Sequence, residues 1–245
     1  MMGMTPGPKL EGRHLETVRL ADLDDHACTE LYRVVLEPSF PPSELMTLDE
    51  LGEARRTGGS DGLTLLDDGR PVAVMVTEDY LGGRVRLLTY LAVAEPARRE
   101  GLASHLLAAL PQGAGAPLVL AEIEDPRFHA VERASDPAAR VRFYERHDWR
   151  LLPLNYFQPS LRVGSPRVAH LFLIALDPPD GALEGELIAD FLAEYFIACE
   201  GDAVAYDADF RGLLNAARGD AGRLRAGSLA DLTAARPDPD VPVGG

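Results

Sequence analysis

The sequence lacks several features that mark common classes of nucleotide-binding protein. Its only lysine is Lys9, one of 24 basic residues, so the Gly-x-x-x-x-Gly-Lys-Ser/Thr motif of a P-loop cannot occur. No Gly-x-Gly-x-x-Gly follows a strand-like segment, which excludes the usual dinucleotide-binding fingerprint. The two cysteines, Cys28 and Cys199, are too few for a disulfide framework.

Long hydrophobic runs are also missing. No stretch approaches the ~20 apolar residues of a membrane span, and residues 1–12 contain no signal-peptide core. We therefore expect a soluble, cytoplasmic protein with no membrane partner. The net charge of −15 argues against a nucleic-acid partner and favours a cationic substrate, although an acidic surface that only aids solubility would explain it equally well.

The most informative segment that is present is residues 91–104. A strand-like apolar run leads into a basic turn and then into a helix expected over 104–110. The first amides of a helix have no intrahelical partners and attract anions, and Gly101 allows the backbone to approach a ligand closely. The segment predicts a pyrophosphate site at Arg98, Arg99, Glu100, Gly101, Leu102, Ala103 and Ser104, preceded by the strand residues Leu91, Ala92 and Val93. An ordinary strand–helix turn with solvated arginines is the alternative.

Two motifs give the chain a resemblance to a known family. Arg98-x-x-Gly101-x-Ala103 resembles the acyl-CoA-binding segment of the GCN5-related N-acetyltransferases (GNAT), and Phe-Tyr-Glu-Arg-His-Asp-Trp at 143–149 is similar to a later family motif. A strand-like run at 117–124 lies between them, as the family requires. The departures are Asp148 in place of a glycine, Pro137 in place of an asparagine, and no carboxylate in residues 86–90, where many relatives carry a general base.

The resemblance implies an α+β fold with a mixed, mostly antiparallel sheet of about seven strands flanked by helices. Residues 1–13 are expected to be disordered, 14–178 to form the GNAT domain, and 179–245 to form a helical extension with a flexible tail. Hydrophobic periodicity predicts helices over 22–36, from Ser43 to Arg56, from 137, and over 184–200. Whether the 184–200 helix packs on its own sheet or on a second subunit stays open, so both a monomer and a homodimer are compatible with the sequence.

The resemblance also implies a division of roles. Acetyl-CoA would bind along Leu91 and Val93 and on the amides of residues 99–104, and Tyr144 would protonate the leaving thiolate. Glu122 and Glu124 lie two apart on one strand, so they share a face, and either carboxylate is a candidate general base. Family topology places the acceptor among residues 40–44 and 155–159, with Phe40, Glu44, Tyr156 and Gln158 as the predicted substrate-binding residues. The six histidines show no metal-ligand spacing, so no metal is expected.

The resemblance thus favours an N-acetyltransferase that moves an acetyl group from acetyl-CoA to a primary amine of a small cationic substrate. Two alternatives are carried forward. One is transfer of a longer acyl group on the same scaffold. The other is a degenerate, non-catalytic acyl-CoA-binding module. The missing strand carboxylate and the extra C-terminal helix favour this alternative.

Overall fold

The computed structural model describes residues 14–113, 115–131, 136–162, 164–178 and 181–230. The helices are α1 (Asp25–Leu31), α2 (Leu48–Thr57), α3 (Leu102–Leu107), α4 (Pro137–Glu145), α5 (Gly185–Glu200) and α6 (Ala208–Arg218). The strands are β1 (Leu15–Arg19), β2 (Asp61–Asp67), β3 (Arg70–Tyr80), β4 (Val85–Val93), β5 (Leu118–Glu124), β6 (Trp149–Leu151), β7 (Tyr156–Gln158), β8 (Val168–Leu176), β9 (Ala182–Glu184) and β10 (Arg223–Arg225). The predictions of disorder before residue 14 and in the tail beyond 230 lie outside the described residues.

Eight strands form the main sheet, in the order β1-β2-β3-β4-β5-β8-β6, with β7 paired to β8 beside β6. Every neighbouring pair is antiparallel except β4 and β5, which are parallel. The α+β class and the mixed, mostly antiparallel sheet are therefore confirmed. The strand count exceeds the expected seven because β6 ends at Leu151 and β7 is a separate short strand that also pairs with β8.

Helices cover both faces of this sheet. Along β5, Val119, Ala121 and Ile123 alternate toward the core under α3 and α4. The opposite face carries two cores, since Val74 and Val76 of β3 pack beneath α1 and α2 while Tyr80, on the same face of β3, packs beneath α5. The face is thus shared by an N-terminal and a C-terminal pair of helices, and Glu122 lies on this face of β5.

The first two helices begin later than predicted. Asp24, not Asp22, caps α1 by accepting a hydrogen bond from the Ala27 amide at 2.7 Å, and the helix continues as a π-helical turn over Tyr32–Leu36. The second helix begins after Thr47, which forms a capping box with Glu50. The prediction that this helix starts at Ser43 was therefore wrong, and residues 43 and 44 are left in a turn.

The C-terminal extension packs on the sheet of its own chain. Ile188, Leu192 and Phe196 of α5 are fully buried in one core with Leu171 and Leu173 of β8. A short two-stranded antiparallel sheet of β9 and β10, absent from the sequence prediction, joins the residues just before α5 to those after α6. Among the described residues, no helix is both long enough and apolar enough to cross a membrane.

Candidate active site

The sheet opens between β4 and β5. Their pairing runs from Val85–Leu118 to Leu88–Ala121 and goes no further, while β5 continues along β8 as far as Glu124. A bulge lies where the two strands part, because Val76 of β3 pairs with Tyr90 and Thr77 with Leu88, which leaves Thr89 as an extra residue in β4. The two strands therefore part immediately after a bulge in β4.

Two joined cavities lie along this opening. The first, here called the carboxylate cavity, has a volume of about 530 Å³ and is lined in part by Glu44, Glu122 and Glu124. The second, the arginine cavity, has a volume of about 540 Å³ and is lined in part by Arg98, Arg99 and Arg146. Ser39, Phe40 and Arg140 line both. An anionic ligand and a cationic one would therefore be drawn to adjoining places.

The arginine cavity contains almost the whole predicted pyrophosphate segment. Leu91, Ala92, Val93, Arg98, Arg99, Gly101, Leu102, Ala103 and Ser104 line it, whereas Glu100 does not. The loop depends on left-handed backbone at Arg99 (φ 70°) and Gly101 (φ 80°). The helix begins at Leu102, two residues before the predicted start, so the amides of residues 102–104 occupy the first helical turn without intrahelical acceptors.

Glu122 lies at the wall of the carboxylate cavity and is held by three donors. The Tyr156 hydroxyl donates to its Oε1, the Gln158 amide donates to Oε2 at 2.7 Å, and the Tyr195 hydroxyl donates to Oε2 at 3.3 Å. Burial raises the pKa of the Glu122 carboxyl above its ordinary value, and the three hydrogen bonds act in the opposite direction. The result is a partly buried carboxyl group, with its orientation held by three donors, at the wall of a ligand-sized space.

The other candidate base, Glu124, has a charged partner. Glu124 accepts a hydrogen bond in an ion pair with Arg140 of α4. This pair lies at the junction of the two cavities, since Arg140 lines both. Glu124 is therefore already engaged with a cationic side chain, whereas Glu122 has no such partner among the described residues. Both carboxylates lie on one face of β5 and line the same cavity. In the described part of the chain, Glu122 is held by hydroxyl and amide donors and Glu124 by an arginine.

Residues 38–44 form a wall of the carboxylate cavity and are fixed by Tyr90. The Tyr90 hydroxyl donates to the Glu44 carbonyl at 3.1 Å and accepts from the Met46 amide at 3.0 Å. Its ring packs against Phe40, with the ring centroids 4.9 Å apart. Phe40, Glu44 and Gln158, all predicted to bind substrate, line this cavity. Tyr156 does not, because it is buried behind the wall with its hydroxyl on Glu122.

Tyr144 lies in the core under α4. Its ring is 6% exposed and packs edge-on against Trp149, and it is absent from the lining of both cavities. Burial raises its pKa to about 12, and the charges of Arg140 and Glu124 also act on its hydroxyl. It therefore remains protonated at neutral pH and lies near the ion pair. Asp148, which ends the motif, adopts the left-handed conformation (φ 62°) that its glycine position requires.

Three site residues were not found from the sequence. Arg140 was missed because it belongs to neither of the two recognised motifs. Tyr195 was missed because it lies in the C-terminal extension, outside the region that resembles the family. Thr89 could not be identified from the sequence, because the position of a bulge depends on how the strands pair. The buried Thr89 Oγ1 has no hydrogen-bond partner among the described residues. No group of three or more histidine, cysteine, aspartate or glutamate side chains in the described ranges has the arrangement of a metal site.

Solved structures share this architecture. A GNAT-family protein from Bacteroides thetaiotaomicron superposes with a TM-score of 0.52 at 22% identity, over 68% of this chain and 88% of that one. The ribosomal-protein-S18-alanine N-acetyltransferase of Escherichia coli gives 0.46 at 18% identity, over 66% and 92%. The diaminobutyrate acetyltransferase of Paenibacillus lautus, solved with its substrate and coenzyme A, gives 0.49 at 14% identity, over 69% and 99%.

The sequence itself gives no such relationship. No family model matches it, and no curated protein sequence matches it. At identities this low, structural similarity establishes the fold and leaves the substrate undetermined. With the parted central strands and the loop at Gly101, the Bacteroides structure identifies the fold of this chain as that of the GNAT superfamily.

Proposed function

We propose that the protein is an acetyl-CoA-dependent N-acetyltransferase that acts on a primary amine of a small cationic substrate. The single observation that carries the proposal is the pair of joined cavities at the parting of β4 and β5. One is lined by arginines beside a helix N-terminus and the other by carboxylates. Opposite charges in adjoining spaces suit an anionic acyl donor and a cationic acceptor.

The residues of the arginine cavity fit coenzyme A. Its diphosphate would lie against the amides of residues 101–104 with Arg98 and Arg99 nearby. Its extended arm would run along residues 91–93, where β4 has no pairing with β5. When bound, acetyl-CoA supplies an activated thioester. The chain supplies an anion-binding loop, exposed strand backbone and a walled cavity for the acceptor.

Glu122 is the proposed proton acceptor for the amine. An ammonium group cannot attack a thioester, so it must lose a proton close to the reacting centre. The partly buried Glu122 carboxylate attracts the cation and, with its pKa raised by desolvation, is a better base than an exposed glutamate. Since only the ionised carboxylate can accept the proton, the rate should rise as the pH passes upward through this raised pKa.

Tyr144 is the proposed donor to the leaving thiolate. With a pKa raised by burial to about 12, its phenol keeps its proton at neutral pH and can donate a hydrogen bond. Because its ring packs in the core rather than along either cavity, any such contact would be made through the hydroxyl alone, at the end of the ring near Arg140.

A thiol-release assay tests this function. Purified protein with acetyl-CoA and a panel of small amines should release free coenzyme A with at least one cationic amine, and mass spectrometry should find that amine acetylated. Calorimetry should detect coenzyme A binding without any acceptor. Coenzyme A binding without turnover of any amine would support the non-catalytic acyl-CoA-binding module. Turnover only with longer acyl-CoA esters would support transfer of a longer acyl group.

A further inference from the structure

We propose that the C-terminal helix α5 is part of the active site, with Tyr195 as a positioning residue that holds the Glu122 carboxylate toward the carboxylate cavity. This inference rests on the proposed function, in which Glu122 accepts the proton of the amine. The observation behind it is a hydrogen bond from the Tyr195 hydroxyl to Oε2 of Glu122 at 3.3 Å, between residues 73 positions apart.

Packing fixes the direction of the Tyr195 hydroxyl. The ring is 4% exposed, stacks on Phe191 at 5.7 Å between centroids and meets Tyr80 edge-on at 5.7 Å. A ring held on both sides cannot swing its hydroxyl away without disturbing the core. Tyr195 therefore presents a hydroxyl in a set direction, which a solvent-exposed tyrosine would not do.

The same helix also fixes the other donors to Glu122. Tyr156 and Gln158 lie on β7, and the chain just after it is tied to α5 because the Ser160 amide donates to Glu200 Oε1 at 2.9 Å. On the far side of this loop, Arg167 pairs with Glu200 at 2.7 Å and with Asp207 at 3.0 Å. Its guanidinium also lies over the Phe157 ring, 5.1 Å from the centroid. The extension thus anchors the strand that supplies two of the three donors.

The groups that face Glu122 are neutral or acidic. Tyr156 approaches from β7, Tyr195 and Cys199 from α5, Tyr80 from β3, and the Glu44 carboxylate from the loop before α2. Glu124 lies on the same strand. No ion pair joins Glu122 to an arginine among the described residues, so hydroxyl and amide donors are what stabilise its ionised form. Removal of one donor should favour the protonated carboxyl.

Titration of Glu122 tests the inference without the need for turnover. The protein is labelled with ¹³C at the glutamate carboxyl carbons, and the signal lost in Glu122→Gln assigns the residue. Tyr195→Phe removes one oxygen and keeps the ring. Loss of a hydrogen bond to a charged group should raise the pKa of Glu122 by about one unit. The acid limb of kcat/KM should move to higher pH by the same amount.

Tyr80→Phe is the matched control, because Tyr80 is also buried but donates its hydroxyl to Glu78 at 3.0 Å. It should move the Glu122 titration far less than Tyr195→Phe does. An unmoved Glu122 pKa in Tyr195→Phe, or an equal movement in both variants, would overturn the inference. In the wild type, the ¹³Cζ signal of Tyr195 should titrate with Glu122, which keeps the test valid should the variant not fold. A wild-type protein that turns over no amine would refute the proposed function and leave the titration result standing.

Discussion

Arg140 of α4, which lines both the arginine cavity and the carboxylate cavity, forms an ion pair with Glu124 of β5. Both side chains are partly shielded from solvent, with exposures of 32% and 20%. The pair therefore contributes to the charge of two ligand sites at once. A change in one partner should act on them in opposite directions.

Replacement of Arg140 with methionine should weaken binding of coenzyme A and tighten binding of a cationic amine. The arginine cavity loses a positive charge, and Glu124 loses a neutralising partner. Each effect should be about 1 kcal/mol, or roughly fivefold. Calorimetry measures the first effect and the KM for the amine the second. Arg142→Met, which removes an equal charge from an exposed position on the same helix, should change neither constant appreciably.

Replacement of Gly101 with alanine should reduce affinity for coenzyme A. A Cβ at Gly101 has no heavy atom within 4 Å, so the cost comes from its left-handed φ of 80°. That conformation costs a non-glycine residue about 1–2 kcal/mol. Gly69→Ala is the control, because Gly69 has a φ of 79° and open space too, but lies in the β2–β3 turn. Both variants should lose similar stability in thermal unfolding, and only Gly101→Ala should lose binding in calorimetry. If Gly101→Ala and the wild type bind coenzyme A with equal affinity, the loop does not hold the diphosphate.

Replacement of Tyr144 with phenylalanine should lower kcat by ~10²-fold if its hydroxyl protonates the leaving group. Coenzyme A affinity should be unchanged, because the ring and its contact with Trp149 are kept. Rapid-quench measurement of the chemical step checks the first expectation and calorimetry the second. Tyr206→Phe, at an 84% exposed tyrosine, should be neutral. An unchanged kcat in Tyr144→Phe would mean that the Tyr144 hydroxyl has no role in the reaction and that the ring serves only to pack the core.

Replacement of Arg167 with methionine should make the protein less stable at pH 7 and less sensitive to acid. Hydrogen bonds from Arg167 lower the pKa of the Glu200 carboxyl, and the Phe210 amide together with Arg167 lowers that of Asp207. Carboxyls whose pKa is lower in the folded state stabilise it above their unfolded values, about 4.3 for Glu and 3.9 for Asp. That stabilisation is lost as the pH falls through the folded values.

Urea unfolding at pH 7 and at pH 3 measures both effects. The wild type should exceed Arg167→Met by roughly 1–2 kcal/mol in the free energy of unfolding at pH 7, and the difference should shrink at pH 3. Arg211→Met removes an equal charge from an exposed site on α6 and should show no such convergence. A constant difference at both pH values would mean that Arg167 acts by packing on Phe157 and not through the two carboxylates.

The sequence was most informative where local chemistry decides structure. The strand before Gly101 and the helix that begins at Pro137 form as predicted, because alternation and capping act over a few residues. The start of α2 was misjudged since Ser43 resembles a cap, but Thr47 and Glu50 cap each other reciprocally. Nine of the ten residues predicted to bind the coenzyme line one cavity, because they are close together in the chain; their binding of a coenzyme stays a prediction.

The sequence by itself determined most of the helices and strands, the basic loop and the placement of Glu122 and Glu124 on one face of a strand. The tertiary structure decided which carboxylate is held by neutral donors and which by an arginine, and it brought Tyr195 to Glu122 from an extension outside the family core. The physical reason is that alternation and capping depend on neighbours in the chain, whereas the partners of a buried charge come from helices and strands joined only by the packing of the sheet.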